Sequence, residues 1–452
     1  MSNDETGKPA FAAAAGGRRR FLKNSLAMGA IAPVGATGML AAANAAAAES
    51  AADGEPIKIG AAIPLTGYAA ADGLEAQRGF ELAVEDINAV GGVLGRPLEL
   101  VAEDTGEMGP DLTIQALQRL IDSHGVHAVF ANYNTGTQTA EYDTIADSGI
   151  IYIHANTDII HHETVSGDPD RYFGTFMADP AEYWYGEGLL KFLNNLSESG
   201  QYTPPNKKIA IITSSVSYSA VIANAIKSNA ERYGWEIALE EIVTVPLSEW
   251  GPTLAKIREI DPAVIANTHY LAQDLAQFMV QFTPNPTNSL VYMQYGPSLP
   301  AFREIAEDSA NGVIYSTVLG TLPDELGKPF NKRYRERFGE KSSPKLGGAM
   351  YDFINQWAIA AAMAGGSGGP GEAEVNRRVA DRLRSLIYRG LGGTIRYMVP
   401  EQAATPYPNA TPDPSLGMPH QFLQIQDYTK DEELIAPWPY ETASFMMPPW
   451  TK

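Results

Sequence analysis

Cysteine is absent from the 452-residue sequence. This absence excludes disulfide bridges, thiolate metal sites and catalytic thiols, and it also excludes the lipid-modified cysteine that tethers some exported proteins. Long apolar runs are lacking as well, because no stretch beyond residue 48 approaches the roughly 20 apolar residues that span a bilayer. We therefore expect a protein that is not anchored to a membrane.

Positive charge is scarce, with 33 Lys and Arg against 53 Asp and Glu, and the formal net charge is −20. Residues 1–48 hold five basic and two acidic residues, so the remainder carries a net charge near −23. A strongly acidic protein repels nucleic acid and anionic lipid and stays soluble. We therefore expect no nucleic-acid partner.

The N-terminal region has the order of an export signal. Residues 18–23 read RRRFLK, an apolar stretch follows over 26–48, and the three alanines at 46–48 form a small-x-small cleavage site before Glu49. The adjacent arginines resemble the twin-arginine type of signal, which exports folded proteins. An alanine-rich tail with chance arginines is the alternative. We expect residues 1–48 to be a signal peptide and the protein to reside in a bacterial periplasm.

Short apolar runs alternate with segments of helical period over the following 400 or so residues. The apolar runs predict strands at 57–63, 98–102, 126–130, 150–154, 208–213, 236–243, 263–267 and 290–294. The periodic segments predict helices at 75–88, 111–122, 136–146, 182–196, 219–233, 252–259 and 273–282. Such alternation predicts an α/β fold of parallel sheets with helices on both faces. Two such blocks, before and after about Thr175, predict two doubly wound lobes.

Ligands of open parallel sheets gather at the carboxyl ends of the strands. Six loops that follow predicted strands share hydroxyl, amide and tyrosine side chains and carry few charges: 64–73, 132–137, 155–158, 214–218, 269–270 and 294–296. Each loop taken singly is equally compatible with ordinary turn chemistry. Together they predict a site for a small polar molecule, since hydroxyls and amides hydrogen-bond it and tyrosines supply flat apolar walls.

A family resemblance begins in the first of these segments. Residues 59–67 read IGAAIPLTG, and Gly79, Ala83, the DIN of 86–88 and the glycines at 91, 92 and 95 follow. This opening resembles that of leucine/isoleucine/valine-type (type I) periplasmic binding proteins of ABC importers, and the similarity continues, weakening after about Gly393. The resemblance implies two lobes joined by three crossovers, with 57–175 and 317–393 in lobe 1 and 176–316 and 394–452 in lobe 2. It also implies a monomer that holds a small-molecule solute in the cleft between its lobes and delivers it to an inner-membrane permease.

The resemblance also implies roles for particular residues. By position, Asn134, Thr135 and Thr137 match the loop that holds the solute's carboxylate or carbonyl, and Thr157 matches the hydroxyl after the fourth strand. Tyr218 and Tyr270 match tyrosines that close over the solute. The ligand-binding residues expected on this basis are Asp72, Asn134, Thr135, Thr137, Thr157, Tyr218, Tyr270 and Tyr295.

One departure from the family bears on the solute. Amino-acid binders of this family place a glutamate after a second-lobe strand to pair the solute's ammonium, whereas residues 293–296 here read MQYG. An unpaired ammonium in a closed cleft is costly. Either Asp72, which takes the place of an aromatic residue, pairs the ammonium, or the solute lacks one, as in the relatives that bind urea and short amides. The expectation leans slightly toward a branched-chain or other amino acid over an amide or a carboxylate.

Two other functions remain open. A ligand-sensing module would use the same fold and closure. An exported enzyme would draw on His154, Asp158, His161, His162 and Glu163, but their spacing matches no metal motif such as His-Glu-x-x-His. We therefore expect no catalysis, no cofactor and no metal, and we predict that residues 161–163 open an exposed segment.

Two further stretches have structural interpretations. The basic run 332–337 (KRYRER) is expected to be a solvated helix face, with a permease-docking patch as the alternative. The proline-rich stretch 400–419 resembles an insertion in the third crossover, which would extend the second lobe and wrap its surface.

Overall fold

The computed structural model describes residues 54–67, 69–134 and 138–451, which all belong to one compact unit. Its strands are β1 Ile57–Ile63, β2 Leu98–Asp104, β3 Ala128–Ala131, β4 Ile151–His154, β5 Thr175–Met177, β6 Lys208–Ser214, β7 Glu236–Val243, β8 Val264–Asn267, β9 Leu290–Gln294, β10 Ile314–Thr317, β11 Tyr388–Gly390, β12 Gly393–Ile395, β13 Pro406–Tyr407, β14 Met418–Pro419, β15 Gln421–Gln424 and β16 Glu433–Ala436. Its α-helices are α1 Ala70–Ala89, α2 Pro110–Gln118, α3 Gln138–Ser148, α4 Ile159–Gly167, α5 Tyr183–Glu198, α6 Ser217–Ala230, α7 Gly251–Ile260, α8 Ala272–Phe282, α9 Pro300–Ala306, α10 Gly327–Phe338, α11 Pro344–Ala364 and α12 Ala373–Ser385. The predicted signal peptide lies outside the described residues.

Two sheets organise the molecule. The first has five parallel strands in the order β2-β1-β3-β4-β5. The second has seven strands in the order β16-β15-β10-β9-β8-β6-β7, and it is parallel except for its last two additions, β15 and β16. The fold is therefore the predicted α/β class with two doubly wound lobes. None of the helices in the described ranges is long and apolar enough to cross a membrane.

The chain passes between the two sheets three times. It leaves the first sheet after β5, returns after β10, and passes again to the second sheet between β12 and β15. On its return, α11 packs along α1, where a Cβ on Gly79 would lie 2.1 Å from the backbone oxygen of Gly347. Glycine at 79 therefore permits two helix backbones to touch, which fixes the returning segment against the first lobe.

The predicted elements agree closely with the observed ones. The predicted limits of β1, β7 and β9 coincide with the structure, and the other predicted strands differ by two residues or fewer at each end. These strands are recognisable because helices cover both faces of the sheets, so their sequences are nearly continuous apolar runs. The short strand β5 and the strands after β9 were not predicted. The predicted lobe boundary at 175/176 falls inside β5, and the lobe limits as a whole stay predictions.

The prediction of an exposed segment at 161–163 is wrong. These residues lie in α4, whose N-terminus is capped by Asp158 Oδ1 accepting from the Ile160 N–H at 2.8 Å. His161 and His162 are buried and only Glu163 is exposed. The His161 ring packs edge-on against His154, with the centroids 5.0 Å apart, so the two histidines belong to an aromatic core.

The proline-rich stretch 400–419 does not lie on the second lobe alone. Ala403 forms a parallel bridge with Met177 at the end of β5, and Gln402 Nε2 donates to the Thr175 carbonyl at 2.7 Å. Polar main-chain groups at the edge of a sheet need partners, and this stretch supplies them. It therefore continues the edge of the first sheet.

The basic run 332–337 forms part of α10, and its charges are matched by carboxylates. Arg333 and Arg337 pair with Asp86 and Glu85 of α1, and Arg335 pairs with Asp431. These bonds hold α10 against α1 and the C-terminal segment, which agrees with the expectation of a partly solvated helix face.

Candidate ligand-binding site

A cavity of about 320 Å³ lies where the carboxyl ends of the two sheets face each other. First-lobe residues from the loops after β3, β4 and β5 form one side, and residues that follow β6, β8, β9 and β10 form the other. The lining residues are Tyr133, Ala155, Asn156, Thr157, Asp158, Glu182, Tyr185, Val216, Ser217, Tyr218, Tyr270, Tyr295, Thr317 and Leu319. The cavity thus lies at the carboxyl ends of the parallel strands of both sheets, which is where ligands of such sheets gather.

Half of the eight residues predicted to bind the ligand line this cavity: Thr157, Tyr218, Tyr270 and Tyr295. Asp72 and Asn134 are buried but are not among the lining residues. Thr135 and Thr137 lie outside the described residues. The ligand-binding role of all eight stays a prediction.

Asp72 lies behind two of the cavity tyrosines. It stands in the first turn of α1 with 8% of its surface exposed, and its Oδ2 accepts hydrogen bonds from the Tyr133 hydroxyl and, at 2.9 Å, from the Tyr295 hydroxyl. Burial raises the pKa of Asp72, and the two hydroxyls partly offset this. Because Tyr133 follows β3 and Tyr295 follows β9, the carboxyl joins the two lobes.

Three tyrosines form a connected wall of the cavity. The rings of Tyr185 and Tyr218 are 6.3 Å apart at 70°, and those of Tyr218 and Tyr270 are 5.8 Å apart at 85°. Gln294 fixes this wall, because its Nε2 donates to the Tyr218 hydroxyl at 2.8 Å while its Oε1 accepts from the Tyr292 hydroxyl. The glutamine found where a glutamate was expected therefore positions a tyrosine and does not itself line the cavity.

Carboxyl groups that the sequence analysis did not assign to the ligand lie beside this wall. Glu182 and Asp158 line the cavity, and Asp179 accepts a hydrogen bond from the Thr157 hydroxyl behind it. Burial raises the pKa of Glu182 to about 9 and that of Asp179 to about 8. Glu182 lies in the loop after β5, so recognition of that strand would have brought this loop into the search.

The described lining of the cavity holds no lysine, arginine or histidine. The undescribed positions 68 and 135–137 are Tyr, Thr, Gly and Thr, so they carry no positive charge. Five tyrosines and two carboxyl groups therefore dominate the polar character of the site.

Two lining residues have a strained backbone. Thr157 has φ of 51° and Tyr295 has φ of 54°, a region that residues other than glycine seldom occupy. Such strain persists where the surrounding structure fixes it, and it clusters at functional sites. Both residues also bond to a buried carboxyl group, Thr157 to Asp179 and Tyr295 to Asp72.

The histidines considered as possible catalytic or metal-binding residues are not among the described residues that line this cavity. His154 and His161 are buried, and burial lowers the pKa of His154 well below its usual value and that of His161 to about 3. His161 Nε2 lies 2.8 Å from the Glu401 carbonyl oxygen. The described residues contain no group of three or more His, Asp or Glu side chains that could hold a metal ion.

Comparisons with known proteins agree with this architecture. The sequence profile of the family described as Periplasmic binding protein matches residues 56–407. The Leu/Ile/Val-binding protein homolog 8 of Brucella abortus (strain 2308) is 24% identical over 320 residues, which are 69% of this chain and 77% of that protein.

Solved structures give the same result. A protein from Silicibacter pomeroyi, assigned as a branched-chain amino acid ABC transporter, superposes with a TM-score of 0.85 at 54% identity, covering 88% of this chain and 100% of that one. The substrate-binding protein LivJ of Streptococcus pneumoniae, in complex with isoleucine, shares the fold with a TM-score of 0.66 at 19% identity, covering 84% of this chain and all of that one. The family resemblance is confirmed, and the chain belongs to the periplasmic binding protein family.

Proposed function

We propose that this protein is the solute-binding component of an ABC-type importer and that its two lobes close on a small polar solute, a branched-chain or other amino acid, in the tyrosine-lined cavity. The observation that carries the proposal is the position of the cavity, which both sheets line with the ends of their strands. A volume of about 320 Å³ suits a solute of this size, since small-molecule sites begin at about 300 Å³.

The second lobe offers hydrogen-bond donors to a carboxylate. Helix α6 begins at Ser217, and among the described residues no side chain caps its first turn. Backbone N–H groups of a first helical turn have no partner within the helix and attract anions. Ser217 and Tyr218 both line the cavity, so this helix start can receive the carboxylate of an amino acid. Asn134, Thr135 and Thr137 remain proposed donors from the first lobe.

The cellular setting belongs to the same proposal. Export by a twin-arginine signal over residues 1–48, release into the periplasm as a monomer and delivery to an inner-membrane permease fit a protein of this family. No bond is made or broken in this cycle, and the ligand acts by stabilising the closed arrangement of the lobes. Uptake of labelled solute by cells with and without the gene separates transport from ligand sensing.

The test is a thermal-shift screen followed by calorimetry on the purified protein. The panel contains branched-chain, aromatic and polar amino acids, urea, short amides and carboxylates. A solute at 100 times its dissociation constant adds about 2.7 kcal/mol to the free energy of unfolding, which moves the melting temperature visibly. A shift with amino acids supports the proposal. A shift with urea or amides alone would change the proposed solute class from amino acids to amides. The absence of a shift with every compound of the panel would contradict the proposal.

Tyr270→Ala tests whether the solute binds in this cavity. Its ring is half-buried and forms the end of the tyrosine wall, so its removal should weaken solute binding at least tenfold while the protein still folds. Tyr233→Ala is the matched control, because Tyr233 is also half-buried but lies outside the cavity. Equal affinities for the two variants would remove Tyr270 from the site.

A further inference from the structure

Glu182 is a buried carboxyl group whose bonding is incomplete. Only 1% of its surface is exposed, it lines the cavity, and its Oε2 has no hydrogen-bond partner among the described residues. The backbone N–H groups of Glu182 and Ile159 lower the pKa of this carboxyl, but burial outweighs them. A buried polar group without a full set of partners is costly, so the incompletely bonded carboxyl of a residue that lines the cavity calls for a partner that the ligand brings.

We propose that Glu182 receives a cationic nitrogen of the solute, so that the cavity takes ammonium-bearing solutes and rejects neutral amides and simple carboxylates. This inference rests on the proposed function and deepens it by naming the solute class. Glu182 would thereby take the role of the ammonium-pairing glutamate that residues 293–296 lack.

The surroundings of Glu182 favour a cation. The described lining has no positive side chain that could pair with the carboxylate internally. Tyr218, Tyr185 and Glu182 line the same cavity. Tyrosine faces attract ammonium groups, and the attraction is stronger where the groups are desolvated. A carboxylate beside a tyrosine wall therefore forms a compact receptor for an ammonium group.

The other carboxyl groups near the cavity are engaged elsewhere or do not line it. Asp72 accepts from Tyr133 and Tyr295, and Asp179 accepts from Thr157 through Oδ2 while its Oδ1 has no partner among the described residues; neither Asp72 nor Asp179 is among the lining residues. Asp158 lines the cavity, but it caps α4 through the Ile160 N–H. Among the described lining residues, Glu182 is the one whose carboxyl has a buried oxygen without a partner, and Asp158 raises its pKa further.

Proton linkage gives this inference a distinctive signature. Burial, with Asp158 next, raises the pKa of Glu182 to about 9, so the empty site holds its proton at pH 7. An ammonium group favours the ionised carboxylate and lowers that pKa again, so binding must release a proton. The affinity should therefore rise with pH, by up to about tenfold per unit between pH 6 and 8, where the solute's ammonium stays charged.

The experiment compares L-leucine with 4-methylpentanoate, which lacks the ammonium, and with 3-methylbutylamine, which lacks the carboxylate. Calorimetry at pH 7 in buffers of different ionisation enthalpy measures both the affinity and the number of protons released. We expect leucine to bind with release of about one proton, and 4-methylpentanoate and acetamide to bind at least tenfold more weakly than leucine with no release.

Glu182→Gln should weaken leucine binding about 10- to 150-fold and abolish the proton release. Glu163→Gln is the matched control, because Glu163 is exposed on the neighbouring helix α4 and should leave both quantities unchanged. Melting of each variant without ligand checks the fold. If Glu182→Gln does not fold, the proton release of the unmodified protein still decides the question.

The outcomes separate the two proposals. If leucine binds without proton release, or if 4-methylpentanoate or acetamide binds as tightly as leucine, the role of Glu182 is wrong and the solute-binding function stands. If 3-methylbutylamine binds as tightly as leucine, Glu182 is supported and the solute class becomes an amine. If no compound of this set or of the wider panel binds, the proposed function itself fails.

Discussion

Tyr295→Phe tests whether the bond between Tyr295 and Asp72 holds the two lobes closed. The substitution removes one hydroxyl, which donates to Asp72 Oδ2 at 2.9 Å, and keeps the ring that lines the cavity. Tyr295 follows β9 of the second sheet and Asp72 stands in α1 of the first lobe. Opening of the lobes must break this hydrogen bond, so the bond stabilises only the closed arrangement.

The magnitude follows from the nature of the acceptor. A hydrogen bond to a buried carboxyl group contributes about 1.5–3 kcal/mol when the group is charged. A bond made only in the closed state enters the apparent affinity in full, so its loss should raise the dissociation constant about 10- to 150-fold. The change should appear in the dissociation rate, because the encounter of the solute with the open lobes does not involve the bond. Stopped-flow fluorescence and calorimetry measure the two quantities.

Tyr133→Phe is the matched control for this prediction. Its hydroxyl donates to the same oxygen of Asp72, and its ring also lines the cavity, but Tyr133 follows β3 of the first lobe. This bond survives opening, so its loss should change affinity far less than Tyr295→Phe does. Equal effects of the two variants, or no effect of either, would refute the assignment of the Tyr295 bond to closure.

Two predictions concern stability. Burial alone would raise the pKa of Glu432, but Lys345 and Arg303 hold it at about 2; this shift below the ordinary value stabilises the fold by about 3 kcal/mol at neutral pH. The free energy of unfolding of Glu432→Gln, measured in urea at pH 7, should therefore be lower than that of the unmodified protein by this amount. The difference between the two proteins should shrink as the pH falls from about 5 toward 2, and a difference that does not depend on pH would contradict the prediction. Gly79→Ala should destabilise the fold by about 1–3 kcal/mol, because the new Cβ would meet a backbone oxygen of α11 at 2.1 Å and the helices would have to separate. Unchanged melting of this variant would mean that α1 and α11 can move apart freely.

The fold could be predicted from the sequence because the burial of the strands requires a strong hydrophobic pattern. Strands covered on both faces are apolar throughout, so the predicted 57–63 coincides with β1. Helices with one apolar face alternate with them at a regular spacing, which predicts parallel sheets. The carboxyl ends of these strands then indicated the loops that hold Thr157, Tyr218, Tyr270 and Tyr295.

The sequence could not predict which carboxyl group reaches the cavity. Asp72 falls in the first predicted strand-end loop, but in the structure tyrosines 61 and 223 positions away along the chain donate to its Oδ2. Glu182 follows β5, which has only three residues and therefore shows no periodicity. The burial of His161 and His162 was missed for a related reason, since their rings pack against Tyr142 and Tyr183, which lie 19 and 21 positions away along the chain.

The placement of Glu182 gives an order to the binding events. Glu182 lies between β5 and α5, at the point where the chain leaves the first sheet, and it shares its side of the cavity with Thr157 and Asp158. The Glu182 carboxyl is on the side of the cavity that is present before the second lobe arrives, so the ammonium of the solute can displace its proton and bind while the lobes are open. Tyr270 and Tyr295 then approach from the other sheet, cover the bound cation and complete the bond to Asp72. Substitutions of Glu182 should therefore weaken the initial encounter, whereas loss of the Tyr295 hydroxyl should shorten the lifetime of the closed complex, because the two groups act at successive steps.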